Sequence, residues 1–274
     1  MSIAYIAFTL LDGTSKLLTS YGYPVAQVTF MRYLIHVLLI VPFLVAAPSL
    51  MRAQRPALQG LRALLLCTAT LCNFYAIQSI QLSKSAAIFF SIPLLVALLA
   101  IPILSEKIGP RRWGAILFGF VGILVITRPD SSAFGLAELA IMVSALALAG
   151  YQITTRMVAG EDHDLTGLFF AGIGGALVLL PVQPSIFIWP VVDWHWLLFG
   201  LCGFAGTGGH MVLLIAHRMA PAPILAPAAY QQLLYMILFD YFVFHDIPDQ
   251  NVGLGAMIVL ASSLYLWLRE RQIR

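Results

Sequence analysis

Charge is what this chain has least of. Only 10 % of its residues are Asp, Glu, Lys or Arg, against roughly 25 % in a soluble domain, and 61 % are hydrophobic. With a mean hydropathy of +0.92, a water-soluble fold is excluded. Cysteine is scarce too. Cys67, Cys72 and Cys202 fall inside apolar runs without metal-ligand spacing, so they read as small apolar side chains and no disulfide is expected. There is no Walker-type phosphate loop, no paired Cys or His cluster, and no serine nucleophile with an acid and a histidine at one depth. Nucleotide-driven pumping, serine chemistry and a resident metal or other cofactor are therefore not expected, nor is an enzyme. The net charge of +3 resides in loops and carries no implication for nucleic acid.

What the chain does have is ten apolar spans, near 2–20, 25–47, 58–80, 85–104, 111–128, 133–156, 165–182, 194–217, 222–244 and 251–268. Each is about long enough for a membrane helix of roughly 20 residues. The predicted class is an all-α membrane protein of ten transmembrane helices, with no room for a soluble domain. The first span carries Asp12 and Lys16 and lacks a basic flank or cleavage site, so it reads as a membrane helix, not a signal peptide. With the amino terminus in the cytoplasm, that side receives eleven loop cations: Arg52, Arg55, Arg62, Lys107, Arg111, Arg112, Arg156, Arg218, Arg269, Arg271 and Arg274. The opposite side receives two, Lys84 and Arg128. The positive-inside rule then sets both termini in the cytoplasm of an inner or plasma membrane. Trp189, Trp194 and Trp196 sit where an interfacial aromatic belt is expected.

Sliding the chain against itself by 140 residues superposes Thr14-Ser15-Lys16 on Thr154-Thr155-Arg156, Phe30 on Phe170, Ala76 on Ala216, Ala86 on Ala226 and Glu106 on Asp246. Pro42, expected to end the second span, falls one residue from Pro181, ending the seventh. The shared offset predicts two repeats of five spans each, residues 1–130 and 131–274. Five is odd, so the second copy enters the membrane inverted. Inverted repeats around a central cavity are a signature of secondary transporters, which alternate access around a midplane site.

The stretch from Ser105-Glu106-Lys107-Ile108-Gly109-Pro110-Arg111-Arg112-Trp113-Gly114 through Gly119 and Gly122 to Arg128-Pro129 resembles the end of an EamA repeat, as does the Leu82–Leu104 span with Pro93 at its centre. The whole chain is similar to the ten-helix branch of the drug/metabolite transporter superfamily. In its second copy Asp246 replaces the glutamate and the following basic pair is missing. The resemblance implies transport of a small organic solute. It also implies a cavity walled by the third, fourth, eighth and ninth helices, with the first, second, sixth and seventh outside them and the fifth and tenth as scaffold. Those two spans have few polar residues besides Ser262 and Ser263, and have Gly119, Gly122, Gly253 and Gly255 for close contact.

Polar residues inside spans mark the candidate site, because a charge at the bilayer centre costs about 2.5–3.5 kcal/mol. Arg32 is the sharpest, with His36 one turn on; its guanidinium fork suits a carboxylate or phosphate. Asp12 and Lys16 are four apart and are expected to pair, either as structure or as a gate or proton-coupling element. On the fourth span Phe89, Phe90 and Ser91 precede Pro93, and on the ninth Tyr230, Gln231 and Gln232 follow Pro227. Such interruptions at matching positions point to a substrate site. Asn73 on the third span, Tyr151 and Gln152 on the sixth, and His210 beside Gly208 and Gly209 on the eighth complete the set, His210 as a proton carrier. The Gly208–Gly209 pair is either a hinge or a packing contact. Glu138, Asp240 and His245 are expected to be solvated at the outer ends. The expected function is secondary transport of a small metabolite, leaning to an amino acid or other carboxylate-bearing solute; the alternatives are an exporter of apolar or cationic compounds, or a membrane-embedded enzyme. Expected partners are the bilayer, a small-molecule substrate and a coupling proton or counter-substrate, with no nucleic acid, in a monomer or homodimer.

Overall fold

The computed structural model describes residues 1–105, 109–128, 135–219 and 231–273. All regular structure there is helical. In chain order the helices are α1 (Ser2–Ser20), α2 (Val25–Ala46), α3 (Pro56–Ile77), α4 (Leu82–Phe89), α5 (Ile92–Leu104), α6 (Pro110–Thr127), α7 (Leu136–Met157), α8 (Asp164–Leu179), α9 (Gln183–Ile186), α10 (Asp193–Met219), α11 (Gln231–Phe239) and α12 (Gln250–Ile273). A π-turn, Asp240–Phe244, follows α11. Apart from α9, which lies between the seventh and eighth, these elements lie on the spans expected from hydropathy; residues 220–230 of the ninth, including Pro227 and Tyr230, lie outside the described residues, as do Glu106 and Lys107.

Among the described residues six stretches are long and apolar enough to cross a bilayer: Val25–Ala46, Pro56–Ile77, Leu82–Leu104, Leu136–Met157, Asp164–Ile186 and Asp193–Ala216. Their outward surface is studded with leucine, valine and phenylalanine, among them Leu38, Val45, Leu146, Leu177 and Phe204. Apolar surface on this scale needs lipid around it, and the protein is an integral, multi-pass membrane protein.

Helix boundaries follow local chemistry. Pro56 and Pro110 open α3 and α6, where a missing N–H costs nothing. Pro93 instead interrupts a long apolar run. The chain turns at Phe90 and Ser91 between α4 and α5, and the backbone carbonyl of Phe90 accepts from Ser263 Oγ on α12 at 2.8 Å. A neighbouring hydroxyl thus repairs the break, as lipid demands. Pro42 does not end its helix: α2 continues to Ala46 with the proline inside it, because a long apolar helix can lose one backbone bond near its end.

α3 packs along α7, α1 along α10 and α6 along α12; α2 touches α8 and α10, α3 touches α8, α1 touches α11, α5 touches α7 and α11 touches α4. In the α6–α12 pair a Cβ on Gly255 would lie 2.6 Å from the Gly122 carbonyl oxygen, and one on Gly122 would lie 2.9 Å from that of Gly255. Gly119 packs under Leu94 of α5, but Gly253 faces open space and takes no part in the contact.

Candidate functional site: a buried arginine and its polar neighbours

Arg32 lies on the second turn of α2, 3 % exposed. Its Nη1 donates to Thr70 Oγ1 on α3 at 3.1 Å and its Nη2 to His210 Nε2 on α10 at 3.4 Å. The guanidinium also sits 4.6 Å from the centre of the Tyr33 ring. Thr70 spends its one proton on the Leu66 carbonyl at 2.9 Å, so its oxygen accepts from both Arg32 and the Tyr33 hydroxyl at 3.0 Å. His210 accepts a hydrogen bond from the arginine, which fixes Nε2 as its unprotonated nitrogen. Arg32 Nε is buried with no partner, beside Gly206, where a Cβ would lie 3.0 Å away. The guanidinium therefore has no carboxylate on it, and its Nε–Nη2 edge, the one facing α10, is the least satisfied.

His36 does not join the cluster. Its Nε2 donates to the Leu168 carbonyl at 3.0 Å, and Gly172 packs against its ring, so it seams α2 to α8. Asp12 is buried in the field of Arg32. It accepts from Asn73 Nδ2 at 2.9 Å, while Asn73 Oδ1 accepts from Ser85 Oγ at 3.0 Å, a chain that links α1, α3 and α4.

The expected pair of Asp12 with Lys16 does not form. Lys16 Nζ instead donates to the Ile80 carbonyl at 3.0 Å and lies 4.0 Å from Asp240 Oδ1, 3.9 Å from Asp246 Oδ2 and 4.6 Å from the Phe244 ring centre. Tertiary partners with better geometry win over the i,i+4 neighbour. Nor is Asp240 solvated: it is fully buried, and its two oxygens cap α4 through the backbone N–H groups of Leu82 at 3.1 Å and Ser83 at 2.8 Å. Glu138 is also buried, paired with Lys84 at 2.7 Å and capping α7 at Gly135. His245 is exposed, as expected.

On the fourth span Phe90 and Ser91 are buried and Phe89 half-buried; Ser91 Oγ donates to the Ile88 carbonyl within the turn. On α11 Gln231 is exposed and accepts from Tyr235. Gln232, four residues from buried Met236 and on its face, is half-buried and makes no hydrogen bond among the described residues. Tyr151 accepts from Arg62 Nη2 at 3.4 Å. Gln152 is exposed, although it lies only about 20° around the helix from buried Ala145, two turns earlier. The inward stripe of α7 is thus open toward Arg156. Along α10 the helix runs unbroken through Gly208 and Gly209; Gly209 packs on Phe8 of α1, so that glycine is a packing contact.

Two features escaped sequence reasoning. Thr70 is inconspicuous among the small residues of α3, yet it lies 140 residues before His210, so the repeat offset that relates the two was the available signal. Arg62 was counted with the loops but is buried, donating to Thr155 Oγ1 of α7 at 3.1 Å, with Gln59 linked on to Asp162 at 2.7 Å. A cavity of about 180 Å³ among Phe43, His163, Leu165, Met211, Leu214 and Ile215 shares no residue with the Arg32 cluster.

A multi-pass helical membrane protein with a cation and unsatisfied polar groups buried at its centre is the architecture of a solute carrier, since such groups are retained in lipid mainly for function. Comparison with known proteins specifies the class. Residues 2–128 match the EamA-like transporter family. The chain is 29 % identical over 247 residues to an S-adenosylmethionine uptake transporter of Rickettsia prowazekii, covering 90 % of this chain and 84 % of the relative. It is 24 % identical to a riboflavin transporter of Vibrio cholerae, covering 97 % and 91 %, and 24 % identical to a pseudopaline exporter of Pseudomonas aeruginosa, covering 89 % and 86 %. A solved crystal structure matches in fold over 100 % of this chain and 99 % of its own, with a TM-score of 0.64 at 17 % identity. The amino-terminal half of the chain thus matches the EamA-like transporter family, and over most of its length the chain is similar to transporters of small metabolites.

Proposed function

We propose that the protein is a ten-helix secondary transporter, made of two inverted five-helix repeats, that moves a carboxylate-bearing small metabolite by alternating access. The observation that carries the substrate class is Arg32, a membrane-buried guanidinium whose hydrogen bonds go only to neutral groups and whose Nε–Nη2 edge lacks a strong acceptor. A carboxylate seated on that edge takes two parallel charge-assisted bonds and displaces the long 3.4 Å contact to His210. Asn73, Phe89, Phe90 and Gln232 are the neighbouring candidates for the rest of the solute.

The repeat is supported by the packing. Exchanging α1 with α7, α2 with α8, α3 with α10, α4–α5 with the α11 span and α6 with α12 turns the α1–α10 contact into α7–α3. It turns α2–α10 into α8–α3 and α1–α11 into α7–α5. The pairs α6–α12, α2–α8 and α4–α11 map onto themselves, and every product is a contact this fold makes. Both termini are assigned to the cytoplasm by the charge of the loops. S-adenosylmethionine, named for the Rickettsia relative, carries an α-amino acid group, so it heads the substrate panel with free amino acids and riboflavin.

The test is a thermal-shift screen of the purified protein against that panel, followed by counterflow in liposomes at two pH values. Stabilisation and counterflow by carboxylate-bearing solutes, lost when the carboxylate is esterified, are expected. Counterflow of cationic amphiphiles with no competition from amino acids or S-adenosylmethionine would overturn the substrate class.

A further inference from the structure

Lys16 and Arg156 occupy equivalent places in the two repeats, yet their surroundings are opposite. Lys16 is buried, and one ammonium joins three stretches of chain: its own α1, the α3–α4 connection through the Ile80 carbonyl, and the π-turn after α11 through Asp240 and Phe244, with Asp246 just beyond it. Asp240 extends the joint to α4, because the carboxylate that faces the ammonium also holds the first two N–H groups of that helix. A carboxylate at a helix N-terminus is favoured by the helix dipole as well as by the hydrogen bonds. Arg156 is exposed and takes part in no ion pair among the described residues. Position 100, the repeat counterpart of Asp240, is an alanine, and the stripe of α7 leading to Arg156 is open at Gln152.

We propose that Lys16 and Asp240 form the outer gate of the transporter, an ionic latch that closes the far end of α1, α4 and α11 while Gln152 and Arg156 of α7 stand exposed at the other end. This rests on the alternating-access reading above and adds to it which end is latched and by which residues. Because Asp240 is shared between Lys16 and the α4 N-terminus, opening the latch must move α4, the helix whose Ser85 holds Asn73 and, through it, Asp12 in the field of Arg32. The gate is thereby coupled to the site through that hydrogen-bonded chain.

The test uses the full-length chain with its three native cysteines replaced, carrying one reporter cysteine, and membrane-impermeant maleimide applied from either side of oriented membranes. Ala86→Cys, one turn below the capped end of α4, reports from outside; Gln152→Cys reports from the cytoplasmic side. With the latch intact Ala86→Cys is protected and Gln152→Cys reacts. Lys16→Met, and independently Asp240→Asn, which keeps an acceptor for the α4 N–H groups, raise outside labelling of Ala86→Cys by about tenfold, as expected for a minor state of roughly 0.1–10 % brought up in population. Both lower cytoplasmic labelling of Gln152→Cys, whereas Arg156→Ala changes neither. If both latch variants elute as folded monodisperse protein and leave Ala86→Cys protected, the latch is not the gate. If in the intact protein both reporters react, each from its own side and with neither suppressing the other under any variant, access does not alternate, and it is the transport mechanism that fails.

Discussion

The α6–α12 pair and the core around Arg32 are made of equally apolar helix, and they spend their few polar groups in opposite ways. In the pair, glycine meets glycine carbonyl, and the two serines both serve backbone: Ser262 Oγ donates to the Ala115 carbonyl and Ser263 Oγ to that of Phe90. Neither serine hydroxyl is left over. In the core, Arg32 Nε has no partner, Gln232 has none, and Asp12 and Arg32 share a field without touching. The first arrangement gives rigidity; the second leaves polar capacity for something outside the chain. The lesson is that function is to be sought where hydrogen-bond accounts do not close.

The comparison is broken most forcefully at Asp240. Asp240→Ala removes an α4 cap and leaves Lys16 buried without the more buried of its two carboxylates, an expected loss of about 3–5 kcal/mol, read as a fall in the detergent melting temperature. Next comes the scaffold: Gly255→Leu drives a side chain into the Gly122 carbonyl and is expected to cost about 1–3 kcal/mol by overpacking, with substrate affinity unchanged in whatever fraction folds. The core sharpens the contrast in the other direction. Gln232→Leu leaves the melting temperature in place and weakens substrate binding about fivefold, the worth of one neutral hydrogen bond near 1 kcal/mol, while Gln231→Leu, whose side chain is occupied with Tyr235, changes neither; isothermal titration of both variants checks the pair. The smallest effect belongs to Ser263→Ala, about 0.6 kcal/mol for one hydrogen bond inside a membrane bundle, measured by equilibrium unfolding.

Much of the fold was legible because its causes are local. Apolar runs fix the helices, Pro93 must interrupt its own helix, and an arginine deep in a span must turn inward. The misses share a different cause. The spacing of Asp12 and Lys16 predicts a pair, but their actual partners, Asn73 and Asp240, arrive from helices far along the chain. Asp240 caps a helix that begins 158 residues earlier, and no capping rule read along the sequence reaches that far. Pro42 failed for a milder reason: proline removes one bond, which an apolar helix near its end survives. At the candidate site, Arg32 was visible by its depth, whereas Thr70, which holds it, looks like any small residue of α3.

The most direct test of the account is counterflow with Arg32→Lys, in protein shown by thermal melting to be as stable as the parent. Lysine keeps the charge but has no planar fork. The account predicts a loss of at least about tenfold in transport of a carboxylate-bearing substrate, the 1.4 kcal/mol that a second charge-assisted bond readily supplies. Transport at the parental rate would contradict it.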